Sequence, residues 1–308
     1  MKTIFRSGVL FVLAIALGAA MFLPAPAVKL RLNLNEGASY KILTQIDQTV
    51  NQVVMGQEQN VKNKIELGYQ FDVLSASDEA FEVRMTYYRV RFEQEGPMGA
   101  ISYDSENPPE TVPMQARGFS ALVGQSMTMK LDPMGKVLEV KGVDDMLERM
   151  LAQYGEIDET MRGQIEQSLR GQFGEEAMTS QMESMFAIYP EEDVAVGDTW
   201  SREVSVRSGL PLKVTTNYRL AGLEGNRAAL EMEGKILPDA DGPVNMGGMQ
   251  IEFDITGTQK GTAVMDVSTG LIVEATSEQE VSGDMVVNDG AMTWPLVLTT
   301  KTMVTMEK

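Results

Sequence analysis

The side chains of this sequence that could do chemistry are its carboxylates and thioethers, because the chain contains neither cysteine nor histidine. That composition removes thiol nucleophiles, His-based triads, imidazole general bases and the common zinc sites together. Among the acids, Asp132 and Asp266 occupy equivalent turns, and Glu139 and Glu274 each follow the turn glycine by four residues. Paired acids can serve as glycosidase acid and base. Their equivalence points to structure instead, since an aspartate in a duplicated turn bonds its own backbone. Asp239-x-Asp241-Gly242 resembles the opening of a calcium loop, but its glycine arrives too early and Gln250 stands where a bidentate Glu is needed. The 23 methionines recur in close pairs such as Met127-x-Met129, Met182-x-x-Met185, Met246-x-x-Met249 and Met303-x-x-Met306. Thioether clusters can hold Cu(I). Their core-like periodicity favours plain packing, or a pliable apolar cavity that repacks around a greasy ligand. No Gly-x-Ser-x-Gly elbow, Ser-x-x-Lys pair, P-loop or dinucleotide fingerprint is present. The expectation is a non-enzymatic protein with no catalytic residue, no metal site and no cofactor.

The elements that must position these residues come in two copies. Gly37 to Tyr40 recurs as Gly197 to Trp200, and Tyr69, Leu74, Ala80, Phe81 and Glu82 align without gaps on Tyr218, Leu223, Ala229, Leu230 and Glu231. A third landmark, Leu131 to Glu139, recurs as Met265 to Glu274 with one residue inserted. A fixed order of landmarks implies two copies of one supersecondary unit, which either share one sheet or face each other. Tyr40, Tyr69, Trp200 and Tyr218 fall at repeated strand positions, which suggests packing rather than an aromatic binding platform.

Polar and apolar residues alternate from Leu30 to Phe92, as in half-buried antiparallel strands. Residues 93–117 lose that period and collect prolines, which predicts a long loop. Strand character resumes from Phe119 to Val140. From Met146 to Phe186 an apolar stripe at helical spacing predicts two or three helices interrupted near Gly155, Gly163, Gly171 and Gly174. Strands follow from Trp200 to the C-terminus, with turns at Asp239 to Gly248, Thr269-Gly270 and Asn288-Asp289-Gly290. The predicted fold class is α+β and predominantly antiparallel: a first β-rich half over 28–141, a helical insert over 142–190 and a second β-rich half over 191–308.

Lys2 and Arg6 precede an apolar run from Gly8 to Leu23, and Ala25-Pro26-Ala27 supplies a small-x-small cleavage site. This pattern predicts a secretory signal peptide over 1–27. The rival, an uncleaved anchor, has only 16 uncharged residues where a spanning helix wants ~20. With no cysteine after the run, no bacterial lipid anchor is expected. The whole chain carries a net charge of −18, and loss of Lys2 and Arg6 makes the exported part more acidic still. Such a surface repels nucleic acid and anionic lipid headgroups. The expected location is the periplasm or the exterior.

Ser102-Tyr103-Asp104-Ser105, Gly197-Asp198-Thr199-Trp200 and the turn from Asp266 to Gly270 resemble a family of exported bacterial proteins of unknown function. A curved antiparallel sheet with helices on one face is similar to the periplasmic lipid carriers of the LolA and LppX kind. The resemblance implies an exported protein that binds a hydrophobic, lipid-like small molecule on an apolar concave face. The ligand-binding residues expected on the helical stripe are Met146, Met150, Tyr154, Met161, Ile165, Leu169, Met182, Met185 and Phe186. The other reading is a structural or interaction protein of the cell envelope, with that stripe packed solid and no ligand.

Overall fold

A computed structural model of the chain describes residues 27–307, apart from 55, 98, 208–210, 240–241, 243, 247–248 and 288–290. The expected leader, the Asn288-Asp289-Gly290 turn and Asp241 of the calcium-like loop lie outside the described residues.

Alternation of apolar and polar residues produces long strands wherever it holds. In Phe81-Glu82-Val83-Arg84-Met85, for example, the odd positions are buried and the even ones exposed. The first copy comprises β1 (Ser39–Val54), β2 (Gln57–Ala76), β3 (Phe81–Gly96), β4 (Gly99–Asp104), β5 (Ser126–Leu131) and β6 (Val137–Lys141). The second comprises β7 (Thr199–Val206), β8 (Leu212–Glu224), β9 (Arg227–Pro238), β10 (Val244–Met246), β11 (Met249–Asp266) and β12 (Ile272–Val287), and β13 (Met292–Glu307) follows. All pairings are antiparallel, in the order β6-β5-β3-β2-β1-β13-β12-β11-β9-β8-β7, with β4 beside β3 and β10 beside β11. The two copies therefore share one sheet. β13 is the seam, pairing with β12 on one side and with β1 from Lys41↔Glu307 to Gln52↔Leu296 on the other.

The duplicated turns are built alike. Asp132 Oδ1 accepts from the backbone N–H of Met134 (2.8 Å) and Lys136 (2.9 Å), and Asp266 Oδ1 from those of Ser268 (2.8 Å) and Thr269 (3.3 Å). Each copy has a register shift one residue before the turn, at Lys130/Leu131 and at Val264/Met265. Both turns end in a left-handed glycine, Gly135 at φ 77° and Gly270 at φ 76°. A Cβ would lie 1.9 Å from the Phe186 carbonyl oxygen at Gly135 and 2.2 Å from that of Arg31 at Gly270.

Three segments differ from the sequence expectation. The alternation at Leu30, Leu32 and Leu34 is real and all three are buried, yet this stretch is not a strand of the sheet. It threads between the two duplicated turns, with Leu32 N–H donating to Pro133 O and Asn33 N–H to Thr269 O, both at 2.9 Å. Residues 93–104, expected as loop, complete β3 and form β4; the period fails there because inward-facing positions are occupied by Gln94 and Gly96 instead of apolar side chains. Between Arg117 and Gly124 the chain forms a short helix, α1 (Arg117–Ser120), and a turn rather than a strand.

Three helices follow: α2 (Val143–Ala152), α3 (Glu159–Phe173) and α4 (Glu175–Phe186). Asp158 caps α3 by accepting from Met161 N–H at 2.9 Å. Gly155 and Gly174 mark the breaks, whereas Gly163 and Gly171 lie inside α3 with open space around them. Helix α4 packs against both β6 and β7, the two ends of the strand order, and so spans the gap between the edges of the curved sheet. The main core lies between the sheet's inner face and these helices, and a second, separate apolar cluster forms on β9 and β11–β13 around Ile236, Phe253, Ile255 and Val281.

Candidate functional site

The inner face is organised in transverse rows, because residues paired across antiparallel strands point the same way. One row reads Phe92, Ile65, Ile46, Thr302, Ser277, Gly261, Met232, Tyr218 and Trp200. Two residues further along each strand, the next row is polar: Gln94, Asn63, Gln48, Thr300, Gln279, Gln259, Gly234, Thr216 and Arg202. Beyond it apolar residues return as Val61, Val50, Leu298, Val281, Gly257, Ile236, Val214 and Val204. A belt of amides and hydroxyls thus crosses nine neighbouring strands between two apolar bands.

The belt is hydrogen-bonded in two runs, one in each half. Gln94 Nε2 donates to Asn63 Oδ1 (2.9 Å) and Asn63 Nδ2 to Gln48 Oε1 (3.0 Å). In the second copy Gln279 Nε2 donates to Gln259 Oε1 at 2.7 Å. Gln259 Nε2 then reaches Thr216 Oγ1 at 3.5 Å over the intervening strand β9, where the belt position is Gly234. A Cβ at Gly234 would sit 3.3 Å from Thr216 Oγ1 and 3.4 Å from Gln259 Cβ. The one charged member, Arg202, is engaged by the Tyr189 carbonyl and, at 3.2 Å, by Glu191.

Two cavities open onto the belt. In the first half, Asn63 and Gln94 border a space of about 350 Å³ that Phe119, Tyr154, Ile165, Leu169 and Phe173 cover from the α1–α3 side. In the second half, a space of about 280 Å³ lies between Met185 and Ile188 and the strand residues Val204, Val214, Leu230, Met232, Ala275 and Val304, with Thr216, Gln259 and Gln279 in its wall. A larger groove of about 650 Å³ runs over the opposite face of the sheet. It is walled by exposed pairs such as Arg219–Glu231 and Lys260–Glu278, an ordinary solvated ladder.

The residues expected to bind ligand are dispersed. Met146 and Met150 are fully buried, and Met182, Phe186 and Leu169 nearly so; Phe186 sets its ring edge against Phe71 at 5.6 Å. Tyr154, Ile165 and Leu169 line the first-half cavity, and Met185 lines the second. Met161 is 40% exposed and lines neither. The strand residues of the second cavity are not among those expected; the signal for them is a glutamine at an inward strand position, as in Gly257-Thr258-Gln259-Lys260-Gly261.

Burial raises the hydroxyl pKa of Tyr69, Tyr87 and Tyr189, and pushes Tyr218 up to about 12 against the opposing influence of Thr216 and Arg202. These phenols are neutral at physiological pH. Hydrogen bonds from Ser268, Thr269 and Asn226 hold Asp266 below the usual carboxylate range, and a backbone N–H from Glu106 does the same for Asp104. Among the described residues no cluster of three or more acids is placed to hold a metal ion.

A family of unknown function, DUF6263, matches residues 78–272, more than half of the chain. No curated protein matches. Among solved structures, lipovitellin shares the fold at a TM-score of 0.50 and 10% identity over 90% of this chain. The chain spans only 26% of the lipovitellin chain. An outer-membrane channel from Pseudomonas putida F1 aligns over 90% of this chain and 97% of its own at 9% identity, with a TM-score of 0.25.

Proposed function

The chain belongs to the family of unknown function DUF6263, and from that premise we propose that it is an exported, non-enzymatic protein that carries a hydrophobic, lipid-like ligand on its concave face. The observation that carries the proposal is the second-half cavity of about 280 Å³ between Met185, Ile188 and the inner faces of β7–β9 and β11–β13. Its walls combine apolar side chains with a few convergent polar groups, the usual make-up of a small-molecule site. Its volume falls just under the usual range, and its open side leaves room for a ligand that protrudes. The methionine Met185 is unbranched and repacks around ligands of different shape. Lipovitellin, whose structure is described in terms of lipid–protein interactions, supplies an analogy of fold alone.

The test is native mass spectrometry of protein expressed with its N-terminal leader and purified without detergent. A co-purifying lipid-sized mass is expected. A clean apo mass, together with failure to take up any fluorescent fatty acid, would overturn the proposal. That result would favour an envelope scaffold, the reading that the solid packing of Met146, Met150 and Met178 supports.

A further inference from the structure

We infer that the ligand is an uncharged acyl ester with hydrocarbon on both sides of the ester group, held across the amide belt at Gln259 and Gln279. This rests on the carrier reading and names its ligand class.

The argument starts from the two apolar clusters, which the belt keeps apart. Below it lie Tyr218, Met232 and Leu230 of the main core; above it lie Val214, Ile236, Val281 and Leu298 of the second cluster. The rows that flank the belt are four residues apart along a strand, ~13 Å. A chain laid from one cluster to the other must pass over Gln259, Gln279 and Thr216. Pure hydrocarbon there would strip water from three polar side chains and return nothing. In the ladder Gln279 uses one N–H, and Gln259 uses one N–H and one carbonyl lone pair, so each of these two cavity-lining amides keeps a second N–H. An ester carbonyl accepts from such an N–H.

Charge decides against a free acid or a phosphate. Arg202 is the only ion in the belt; it lines the β7 side of the cavity, three strands from Gln259, and two of its N–H groups are taken by Tyr189 O and Glu191. A carboxylate seated at Gln259 would meet neutral amides only, at the full cost of desolvating its charge.

The two tryptophans of the chain stand on opposite sides of the belt and report on the crossing. Trp200 stacks on Tyr218 at 5.5 Å, and Trp294 packs on the second cluster. Quenching is measured in full-length protein and its Trp200→Phe and Trp294→Phe forms. Three probes of equal length are compared: an ester brominated on both its acyl and alcohol chains, the matching brominated fatty acid, and a brominated alkane. The ester is expected to quench both tryptophans and to bind about tenfold more tightly than either comparison probe, the equivalent of one well-placed hydrogen bond. The double variant Gln259→Leu, Gln279→Leu, its folding checked by circular dichroism, should erase that preference. Equal binding of all three probes, quenching of one tryptophan only, or an unchanged preference in the folded double variant would overturn the ester assignment and leave the carrier reading standing. Binding of none of the three would sink both. If the double variant does not fold, the wild-type ranking and the two single-tryptophan proteins decide the matter.

Discussion

The two halves of the sheet are copies of one unit, yet different parts of the helical insert cover their inner faces. Over β3 and β2 the helices bring Phe119 onto Phe92 in a stacked pair at 4.5 Å, and Leu169 and Phe173 line the cavity beside them. Over β8 and β9, among the described residues, the end of α4 and the segment after it approach at Met185 and Ile188. One duplicated scaffold therefore yields two cavities with unlike walls, about 350 Å³ beside α1–α3 in the first half and about 280 Å³ beside the end of α4 in the second. The difference comes from the helical insert, which occurs once. The turns are repeated, and a single unduplicated segment gives each half's cavity its own wall.

The strongest test of the likeness between the copies lies at their turns. Gly135→Ala and Gly270→Ala each force a side chain into a left-handed position under a crossing backbone. Each should cost about 3 to 5 kcal/mol in urea unfolding, combining the φ penalty with displacement of the chain above. If one tolerates alanine and the other does not, the turns are not equivalent supports. The difference in packing is read next. Met150→Ala should lose about 2 to 4 kcal/mol because its site is filled. Met185→Ala, at a cavity wall, should lose less than half as much and weaken lipid uptake instead. Similar losses at the two sites would mean that Met185 is packed as tightly as Met150.

The turn aspartates give a smaller, pH-dependent contrast. Asp266 accepts from Ser268 twice, from Thr269 and from Asn226, whereas two backbone N–H groups reach Asp132. Asp266→Asn should cost about 1 to 2 kcal/mol at neutral pH, more than Asp132→Asn. The folded pKa of Asp266 lies below its ordinary value, so its contribution is present above the unfolded pKa and is lost as pH falls through the folded one. The gap between wild type and Asp266→Asn, followed by chemical denaturation, should close below about pH 4. A gap independent of pH would show that the turn does not need the charge.

What the sequence makes legible follows from which signals are local. Turn chemistry is local, so Asp132 and Asp266 can be matched from their flanking residues alone. The strand alternation at Phe81 to Met85 and the helical stripe from Met146 to Phe186 are local too. The seam between β1 and β13 is not, since Thr44 and Val304 are paired through a contact that no short window contains. The site falls to the same limitation. Met146 and Met150 carry the right residue type, but which face a sheet leaves uncovered depends on how far the insert reaches. The belt is a row across nine strands, visible along any one of them only as an isolated glutamine where an apolar residue is expected. At Gln94 that isolated glutamine mimics the end of a strand.

The smallest effect expected is the one most specific to the belt. Gly234 and Gly222 both lie in β strands of the second copy, and neither has a positive φ. An alanine at Gly222 would find only Ala229 Cβ at 3.9 Å, an ordinary contact. One at Gly234 would press on Thr215 O at 3.1 Å and wedge between Thr216 and Gln259. Because alanine loses less backbone entropy on folding than glycine, Gly222→Ala should be neutral or slightly stabilising. Gly234→Ala should cost about 1 kcal/mol, a fall of ~2 °C in Tm for a chain of this size, as the Gln259–Thr216 bridge opens. The pair separates two explanations of Gly234. If both variants behave alike, this glycine serves only the bend of the sheet. If Gly234→Ala alone loses stability, and Thr216→Val removes that difference between the two glycine variants, the glycine is there so that the belt can pass over β9 unbroken.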